Sequence, residues 1–351
     1  MNPPTGVRDF IPPSARILIT GSNGFIGARL VDCLLAAGHA NLRCFVRPSS
    51  RLDRLRAVCA RHGAEATVEI MSGDLVARAD CERAAAGATV VYHLAAGFDK
   101  SFAGSFMSTA LATRNLIEAS LATGTLRRFV NISTFAVYSN RSLPWGGVLD
   151  ENCPLEDSPV ERHDAYCFGK LKQDELVERY GRERALPFVT LRPGTVFGPG
   201  KEGLSGRVGI DTFGIFIQVG GSNILPLTYV DNCAEAIFLA GVTPGIDGEV
   251  FNIVDDEVVT ARAFLRSYQR QVRSFRSVRV PYFAAYLLSA FWEKYSRWSR
   301  GQLPPSFNRR RCRAEWKKTR FSNQRLRSRL GWRPRVSVHD AFAAMAAGRG
   351  S

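Results

Sequence analysis

The 351-residue chain carries a tyrosine and a lysine whose spacing could move a proton. Tyr166 and Lys170 lie four positions apart in a stretch typical of a helix, so the phenol and the ammonium share one face. An unperturbed tyrosine, with a pKa of about 10, is a poor base at neutral pH, but a neighbouring ammonium can lower that pKa. Ser133 and Thr134 directly follow an apolar run, where a hydroxyl could bond a substrate oxygen. The pattern predicts acid–base chemistry at an alcohol or a carbonyl.

A glycine-rich segment after the first apolar run is typical of a dinucleotide site. Its glycines are spaced GxxGxxG between a predicted strand and a predicted helix. Without Cβ atoms, the first two glycines let the backbone turn tightly and approach a pyrophosphate, and the third lets the helix pack close to the sheet. The predicted cofactor contacts in this turn are Gly21, Asn23, Gly24, Phe25, Ile26 and Gly27.

The end of the second predicted strand indicates which dinucleotide binds. A site for NAD usually has a carboxylate there for the ribose 2′-hydroxyl, whereas this chain has Arg47, with Arg51 close behind. A guanidinium suits a 2′-phosphate, so the sequence favours NADP, with NAD as the alternative. Asp74 follows the third predicted strand, where its carboxylate could accept a hydrogen bond from the adenine amino group.

Alternating strands and helices position these residues, and such alternation predicts a parallel sheet covered by helices on both faces. Strands are predicted at 17–19, 42–46, 68–71, 90–94, 128–132, 188–191 and 250–254. Helices are predicted at 25–37, 52–61, 103–122, 164–184 and 234–239, while the glycine-rich stretch 198–224 is typical of a loop. The fold class is therefore α/β, a Rossmann-type doubly wound parallel sheet with a smaller, mostly helical C-terminal substrate domain.

The same patterns predict how the chain divides into domains. An irregular arm, with four prolines and no apolar core of a signal peptide, is expected at 1–15. A dinucleotide-binding domain follows at 16–192, with returns at about 226–256. The substrate-binding domain comprises 193–225 and 257–345.

Together these motifs resemble the extended short-chain dehydrogenase/reductase family, the NAD(P)-dependent epimerase/dehydratase group. The likeness runs from about 16 to 338 and includes TGSNGFIG, GDL, HLAA, STFAVY, YxxxK, LRPGTVFGPG, YVDN and LGWRP. It implies that Tyr166 is the general acid/base, that Lys170 holds the nicotinamide ribose and lowers the pKa of Tyr166, and that Thr134, with Ser133 beside it, bonds the reacting oxygen. It also implies a homodimer, and further cofactor contacts from Asp74, Leu75, Leu94, Ala95, Ala96, Pro193 and Val196.

Some positions depart from the pattern of the family. Phe135 and Ala136 stand where dehydratases of nucleotide sugars place an Asp–Glu pair to eliminate water, so dehydration is disfavoured. Ser108 and Thr109 stand near where many relatives carry an asparagine, so a proton relay from that residue is not carried over. The resemblance implies a structural ion pair, rather than catalysis, for Arg192.

Positive charge is concentrated at the C-terminal end. Residues 261–351 hold 22 of the 47 lysines and arginines but three of the 32 acidic residues. Such asymmetry indicates either an anionic partner or a solvated basic face, and without a recognition module nucleic acid is not expected. The apolar segment 281–292 is too short to span a membrane. We interpret it as a buried helix of the small domain, with peripheral contact of 281–320 with an anionic membrane as the alternative.

Composition and cysteine spacing bound the class of protein. With 45% hydrophobic and 23% charged residues, the chain is neither disordered nor a polytopic membrane protein. None of the eight cysteines forms a CxxC pair or has zinc spacing, so we expect reduced thiols and no metal site. This predicts a cytoplasmic enzyme, with the inner membrane face as a peripheral location.

Three functions are compatible with the sequence. The leading hypothesis is hydride transfer at a secondary alcohol or ketone carbon, most consistent with an anionic nucleotide sugar because the substrate domain is basic. The alternative enzyme is an NADPH-dependent reductase or dehydrogenase of a hydrophobic sterol-, flavonoid- or acyl-like molecule at a membrane surface. A non-catalytic NADP-sensing protein is the alternative of another class, and the retention of Thr134, Tyr166 and Lys170 disfavours it.

Overall fold

The structure, a computed structural model, describes most of the chain. Of the arm predicted at 1–15, residues 1–9 lie outside the described part, whereas Ile11 is buried in the core. The described ranges are 10–65, 67–201, 203–212, 214–300 and 302–348.

Strands and helices alternate along the described ranges, as the sequence predicts. The strands are β1 (Ile17–Thr20), β2 (Leu42–Val46), β3 (Glu69–Ser72), β4 (Val90–His93), β5 (Arg128–Ile132), β6 (Val148–Leu149), β7 (Phe188–Pro193), β8 (Thr195–Phe197), β9 (Gly209–Thr212), β10 (Ile215–Val219), β11 (Ile224–Leu225), β12 (Leu227–Tyr229), β13 (Val250–Ile253), β14 (Val259–Thr260), β15 (Ser277–Val280) and β16 (Arg320–Phe321). The helices are α1 (Phe25–Ala36), α2 (Asp53–Arg61), α3 (Arg78–Ala85), α4 (Phe102–Ser105), α5 (Ala112–Ala122), α6 (Ala165–Arg184), α7 (Val230–Val242), α8 (Ala261–Gln271), α9 (Tyr282–Trp298), α10 (Arg309–Trp316), α11 (Gln324–Leu330) and α12 (Val338–Ala347).

A seven-stranded parallel sheet forms the centre of the described residues. Its strand order is β13-β7-β5-β4-β1-β2-β3. Strands are added toward one edge from β1 to β3 and toward the other edge from β4 onward, so the order of addition reverses between β1 and β4. All seven predicted strands are present, with ends that shift by at most two residues. In sheets of this kind, ligands bind at the carboxyl ends of the strands beside the reversal.

The inner strands of the sheet are buried on both faces, which explains their mostly apolar sequences. In β1, Ile17 and Ile19 pack into one core cluster, whereas Leu18 packs into a second cluster on the opposite face. Side chains of a strand point alternately to opposite faces, so a strand covered on both sides is apolar at most positions, whereas the edge strand β3 is largely exposed. The Rossmann-type α/β fold predicted from the sequence is thus the observed one.

The stretch 198–224 is not the continuous loop that the sequence predicts. It contains β9, β10 and β11, and β10 pairs with β9 on one side and with the distant β15 on the other. The glycines that suggested a loop lie between and beside these strands. The pairing with β15 lies far along the chain, so local composition could not reveal it.

The prediction of a buried helix at 281–292 is wrong. The segment lies in α9, whose small residues Ala285, Ser289 and Ser296 are buried. Tyr282 and Tyr286 pack beside these small residues, but other large side chains point outward, and Phe283 and Phe291 are both 70% exposed. The helix therefore packs through one side and leaves an apolar face in contact with solvent. No helix of the described ranges is long and apolar enough to cross a membrane.

Arginines of the basic C-terminal region form ion pairs with carboxylates earlier in the chain. Arg310 lies 3.2 Å from the buried Glu156, and Arg335 lies 2.7 Å from Glu235. Part of the charge excess of this region therefore neutralises the chain's own acidic residues. The eight cysteines, all within the described residues, are free thiols.

Candidate active site

A cavity of about 1000 Å³ runs along the carboxyl ends of the central strands. It is lined by all the site residues predicted from the sequence, from the glycine turn after β1 to the first turns of α6. These residues are Gly21, Asn23, Gly24, Phe25, Ile26, Gly27, Arg47, Asp74, Leu75, Leu94, Ala95, Ala96, Ser133, Thr134, Tyr166, Lys170, Pro193 and Val196. The fold thus brings the predicted cofactor contacts and the predicted catalytic groups into one space.

The glycine turn between β1 and α1 leaves room that any side chain would fill. Gly21 has a φ of +69°, and a Cβ there would lie 3.0 Å from the backbone nitrogen of Ala95. A Cβ on Gly27 would lie 2.1 Å from the carbonyl oxygen of Gly21. The turn therefore presents bare backbone and the positive end of α1 to the cavity, which suits the pyrophosphate of a dinucleotide.

The end of the cavity beside β2, where the sequence predicts the adenosine of the cofactor, carries a cation. Arg47 follows β2 on the cavity wall, is exposed, and has no side-chain hydrogen bond or ion pair within the described residues. Asn23 closes the neighbouring turn by donating to the carbonyl oxygen of Arg51, at 3.2 Å. Asp74 accepts a hydrogen bond from the backbone nitrogen of Val76, at 3.0 Å, which fixes its carboxylate. A ribose with or without a 2′-phosphate could bind at this end.

Tyr166 lies in the first turn of α6, which begins after Asp164. The Asp164 carboxylate caps this helix by accepting a hydrogen bond from the backbone nitrogen of Cys167, at 2.9 Å. Burial raises the pKa of Tyr166 to about 12, against the lowering effect of a hydrogen bond with Thr134. The phenol is therefore a protonated group at neutral pH, beside the Thr134 hydroxyl at the end of β5.

Lys170 lies one helical turn after Tyr166, but its ammonium is held elsewhere. Its Nζ donates to the carbonyl oxygen of Ile132, at 2.7 Å, and to Oε1 of Gln173, at 2.9 Å. Burial lowers the pKa of Lys170 to about 8, and the nearby Asp174 acts against that lowering. The lowering of the Tyr166 pKa by Lys170 stays a prediction, because the ammonium here contacts the backbone of β5 and burial sets the pKa of the phenol.

Ser133 is oriented by a buried ion pair. Its hydroxyl donates to Asp174, at 2.8 Å, and the same carboxylate lies 3.1 Å from Nη2 of Arg192. The implied structural ion pair of Arg192 is therefore confirmed, and its partner is Asp174. The Ser133 hydroxyl is committed to this carboxylate, which leaves Thr134 as the hydroxyl beside Tyr166. Asp174 lies four residues after Lys170, a helical spacing that could have pointed to it.

An aromatic side chain that the sequence patterns did not indicate covers Tyr166. Phe98 lines the cavity, is 81% exposed, and stacks on the Tyr166 ring with centroids 5.1 Å apart and planes 9° apart. Ser108 lies behind it in a π-helical turn, Phe106–Leu111, that joins α4 to α5. Such π turns occur often at functional sites. The structure therefore places an apolar cover on the predicted catalytic group.

The far end of the cavity carries the charged side chains of Arg207 and of two residues from the C-terminal region. Arg207 donates to the carbonyl oxygen of Ala314, at 2.9 Å, and has no ion pair within 4.0 Å among the described residues. Burial lowers the pKa of Arg207, while the charge of Glu315 acts in the opposite direction. Arg311 and Glu315, both on α10, line the same end. An anionic group on a ligand would find an unpaired guanidinium here.

Lys201 is a second cation that the motifs did not single out. It directly follows the segment 191–200, and its Nζ donates to the carbonyl oxygen of Val196, at 2.8 Å. The ammonium lies 5.7 Å from the centre of the Phe25 ring, beside the glycine turn. Across the described residues, no group of three or more His, Cys, Asp or Glu could hold a metal ion.

Known proteins share both the sequence pattern and the fold. The chain is 27% identical over 345 residues to the 2-alkyl-3-oxoalkanoate reductase of Stenotrophomonas maltophilia (strain K279a), covering 95% of this chain and 98% of the relative. It is 27% identical over 267 residues to a 3-beta-hydroxysteroid dehydrogenase of Mycolicibacterium neoaurum, covering 72% of this chain and 68% of the relative.

A solved structure shows the same fold. The UDP-glucuronic acid 4-epimerase from Bacillus cereus, in complex with UDP-glucuronic acid and NAD, aligns with a TM-score of 0.72 and 22% identity. The alignment covers 95% of this chain and 98% of the epimerase. The model of the NAD dependent epimerase/dehydratase family matches residues 17–253, which is more than half of the chain. The chain therefore belongs to the NAD dependent epimerase/dehydratase family.

Proposed function

We propose that this protein is an NADP-dependent oxidoreductase or epimerase that acts at a secondary alcohol or ketone carbon. The observation that carries the proposal is that Thr134, Tyr166 and Lys170 line the same cavity as the glycine turn. A bound nicotinamide dinucleotide would supply or accept the hydride. The turn at Gly21 and Gly27 fits the pyrophosphate of such a group, since no side chain fills the space there.

The chain's own residues handle the proton and the substrate oxygen. Tyr166, with a pKa raised to about 12, is protonated at neutral pH and donates its proton to the oxygen of a ketone as that oxygen gains charge. The Thr134 hydroxyl would bond the same oxygen, and Lys170 would hold the ribose with the N–H that Ile132 and Gln173 do not use. Reduction is the direction that a protonated phenol serves directly. Phe135 and Ala136 carry no acid or base for elimination, so we propose that dehydration is not catalysed.

The substrate we propose is a nucleotide sugar or a sugar with a similar anionic group. Arg207 supports this, because its guanidinium faces the cavity without a carboxylate partner in the described residues. A guanidinium that has no carboxylate within ion-pair distance gains from binding phosphate or carboxylate. The Bacillus cereus epimerase, which has the same fold, is described as a complex with UDP-glucuronic acid.

A hydrophobic alcohol or ketone is the second candidate, and Phe98 is the observation that favours it. This exposed ring lies on Tyr166, where it would contact the carbon skeleton next to the reacting oxygen. The two sequence relatives reported above are named as a steroid dehydrogenase and an alkyl-oxoalkanoate reductase. A hydrophobic acid would combine both features, with its carboxylate on Arg207 and its chain against Phe98.

We also retain three proposals, of which the first and third follow from the sequence patterns and the second from the family resemblance. The first is the division into a dinucleotide-binding domain at 16–192, with returns at 226–256, and a substrate domain at 193–225 and 257–345. The second is a homodimer as the assembly. The third is peripheral contact with an anionic membrane through 281–320.

Thermal unfolding tests the proposed substrate. The protein is heated with saturating NADP⁺, with and without UDP, dTDP, GDP or CDP, and an Arg207→Met variant serves as the matched control. A ligand at 100 times its Kd adds about 2.7 kcal/mol of stability, which shifts the Tm visibly. We expect one nucleotide to raise the Tm of the wild type and not of Arg207→Met. No response to any nucleotide would move the proposal to the hydrophobic substrate.

A further inference from the structure

The exposed side of α9 is a continuous apolar face. At about 100° per residue, its exposed large side chains fall within an arc of roughly 140°. They recur at three- and four-residue intervals, as on one side of an amphipathic helix. These side chains are Phe283, Leu287, Leu288, Phe291, Tyr295 and Trp298. These side chains do not contribute to the core, since Phe283 and Phe291 are each 70% exposed and Trp298 is 76% exposed.

Positive charge lies at both ends of this face. Arg276 and Arg279 are exposed just before α9, and Lys294, Arg297 and Arg300 are exposed in or after its last turns. The nearest carboxylate on the helix, Glu293, is largely buried and is engaged by Arg309 on α10, at 2.9 Å, and more distantly by Arg297, at 3.9 Å, which leaves Lys294 and Arg300 as the cations without an ion pair at this end among the described residues.

We propose that this face of α9 docks on a lipid membrane that carries anionic headgroups. An amphipathic helix with aromatic residues on one face and cations at its margins lies in the plane of the interface, with its apolar side among the acyl chains. Tyr295 and Trp298 stack at 5.7 Å near the C-terminal margin, where amphipathic rings favour the headgroup level. Lysine and arginine add attraction to anionic lipid.

A second copy of the chain fits this face less well than lipid does. Because both ends of the helix are basic, a two-fold contact would bring like charges together in either a parallel or an antiparallel arrangement. Anionic headgroups would instead neutralise Lys294 and the arginines at both ends. Charge complementarity therefore selects lipid as the occupant.

The structure also narrows the region that contacts lipid. Arg309 and Arg310 on α10 form ion pairs with carboxylates of the chain itself, so they are not free cations for a membrane. The contact is therefore made by α9 and its flanks, not by the whole stretch 281–320. Ala285 on α9 packs with Cys312 on α10, the helix that carries Arg311 and Glu315 of the cavity. Docking through α9 would thus hold the substrate end of the cavity close to the lipid surface.

Vesicle flotation tests the docking face without any measurement of catalysis. The full-length protein is floated with vesicles of phosphatidylcholine alone and with added phosphatidylglycerol, at low and high salt. The test variant is Phe283→Glu with Phe291→Glu. The control is Val258→Glu, which changes a residue of matched 71% exposure in the loop before β14. The Tm and the Kd for NADP⁺ establish that each variant is folded.

The proposal expects the wild type and Val258→Glu to float with anionic vesicles, and less so at high salt. The double variant should bind these vesicles at least about tenfold more weakly, because two buried aromatic contacts are replaced by charges. Wild type that does not bind anionic vesicles, or a folded double variant that binds like the wild type, overturns the proposal. A wild-type dimer that the double variant dissociates, without vesicle binding, would also overturn it and assign the face to a second copy.

Discussion

Lys170 and Tyr166 have pKa values set by burial more than by each other. The Lys170 ammonium donates to the carbonyl oxygen of Ile132, and burial raises the pKa of Tyr166 to about 12, so the phenol keeps its proton at neutral pH. A protonated tyrosine beside a threonine hydroxyl is suited to donate a proton to a forming alkoxide. The proposed reductive direction thus rests on a phenol that burial keeps protonated.

The buried Lys170 predicts a specific dependence of stability on pH. Its pKa in the folded protein is about 8 and its ordinary value is 10.5, so the unfolded chain binds more protons between these values. The cost of the buried charge is full below pH 8 and disappears as the pH rises to about 10.5. Lys170→Met removes a cost of roughly 3 kcal/mol at pH 7, at about 1.4 kcal/mol per pKa unit.

Unfolding in urea at several pH values measures this effect. The free energy of unfolding of Lys170→Met relative to wild type should fall as the pH rises from 8 to 10.5. Lys172→Met, at an exposed lysine on the same helix, is the control and should follow the wild type. Parallel curves for Lys170→Met and wild type would contradict the assigned pKa.

Arg47 predicts the choice of cofactor. With Arg47→Asp, the ratio of kcat/KM for NADP(H) over NAD(H) should fall by about ten- to a hundredfold, since a charge-assisted contact to the 2′-phosphate becomes a repulsion. Steady-state kinetics with both cofactors measures this ratio. Arg51→Asp is the matched control, because its side chain does not line the cavity, and it should change the ratio much less. An unchanged ratio in Arg47→Asp would show that Arg47 does not recognise the phosphate.

The sequence predicted which residues meet in the cavity but not what their side chains do there. The motif residues fix the backbone of the turns, so their positions follow from local patterns. The partner of Ser133 is Asp174 and the partner of Lys170 is Ile132, and both contacts depend on how α6 packs against β5. Phe98 lies in a loop without a motif, and its stacking on Tyr166 is a tertiary contact.

At the scale of elements, the turn between β1 and α1 gives a testable prediction. Gly27→Ala would place a Cβ 2.1 Å from the Gly21 carbonyl oxygen, so α1 must move away from the turn. We expect the Kd for NADP⁺ to rise at least about tenfold, because the cradle for the pyrophosphate is displaced.

Calorimetric titration with NADP⁺ measures this change, with Gly63→Ala as the control. Gly63 has open space around it but a φ of +57°, so its substitution strains the backbone without touching the cavity. Gly63→Ala should lower the Tm while it leaves the Kd unchanged. Equal Kd values for Gly27→Ala and wild type would refute the proposed role of the turn.

The elements themselves were predictable to different degrees. The strands of the central sheet have mostly apolar sequences because the inner ones are buried on both faces, and they were found nearly to the residue. The strands β9 and β10 were missed, since β10 is completed by the remote β15. The helix α9 was found, but its exposed apolar face was not. The spacing of apolar residues identifies a helix, but it does not say whether protein, lipid or solvent covers the apolar face.

For the whole molecule, the basic residues of the C-terminal region fall into three groups. Arginines of the C-terminal region neutralise carboxylates earlier in the chain, as in the pairs of Arg310 and Arg335. Other cations of this region remain at the cavity, as Arg311, and around α9, as Lys294. The excess charge that the sequence shows is thus divided among internal pairing, the substrate end of the cavity and the proposed membrane face.

The proposed chemistry depends on proton transfer by Tyr166 in a cavity that holds the cofactor. The most direct test mixes the enzyme, NADPH and a candidate ketone in a single turnover and follows the fluorescence of the reduced nicotinamide. Wild type should oxidise the cofactor, and Tyr166→Phe should be at least about a hundredfold slower with the same Kd for NADPH, because general acid catalysis contributes that much. Turnover by Tyr166→Phe at the wild-type rate would contradict the account.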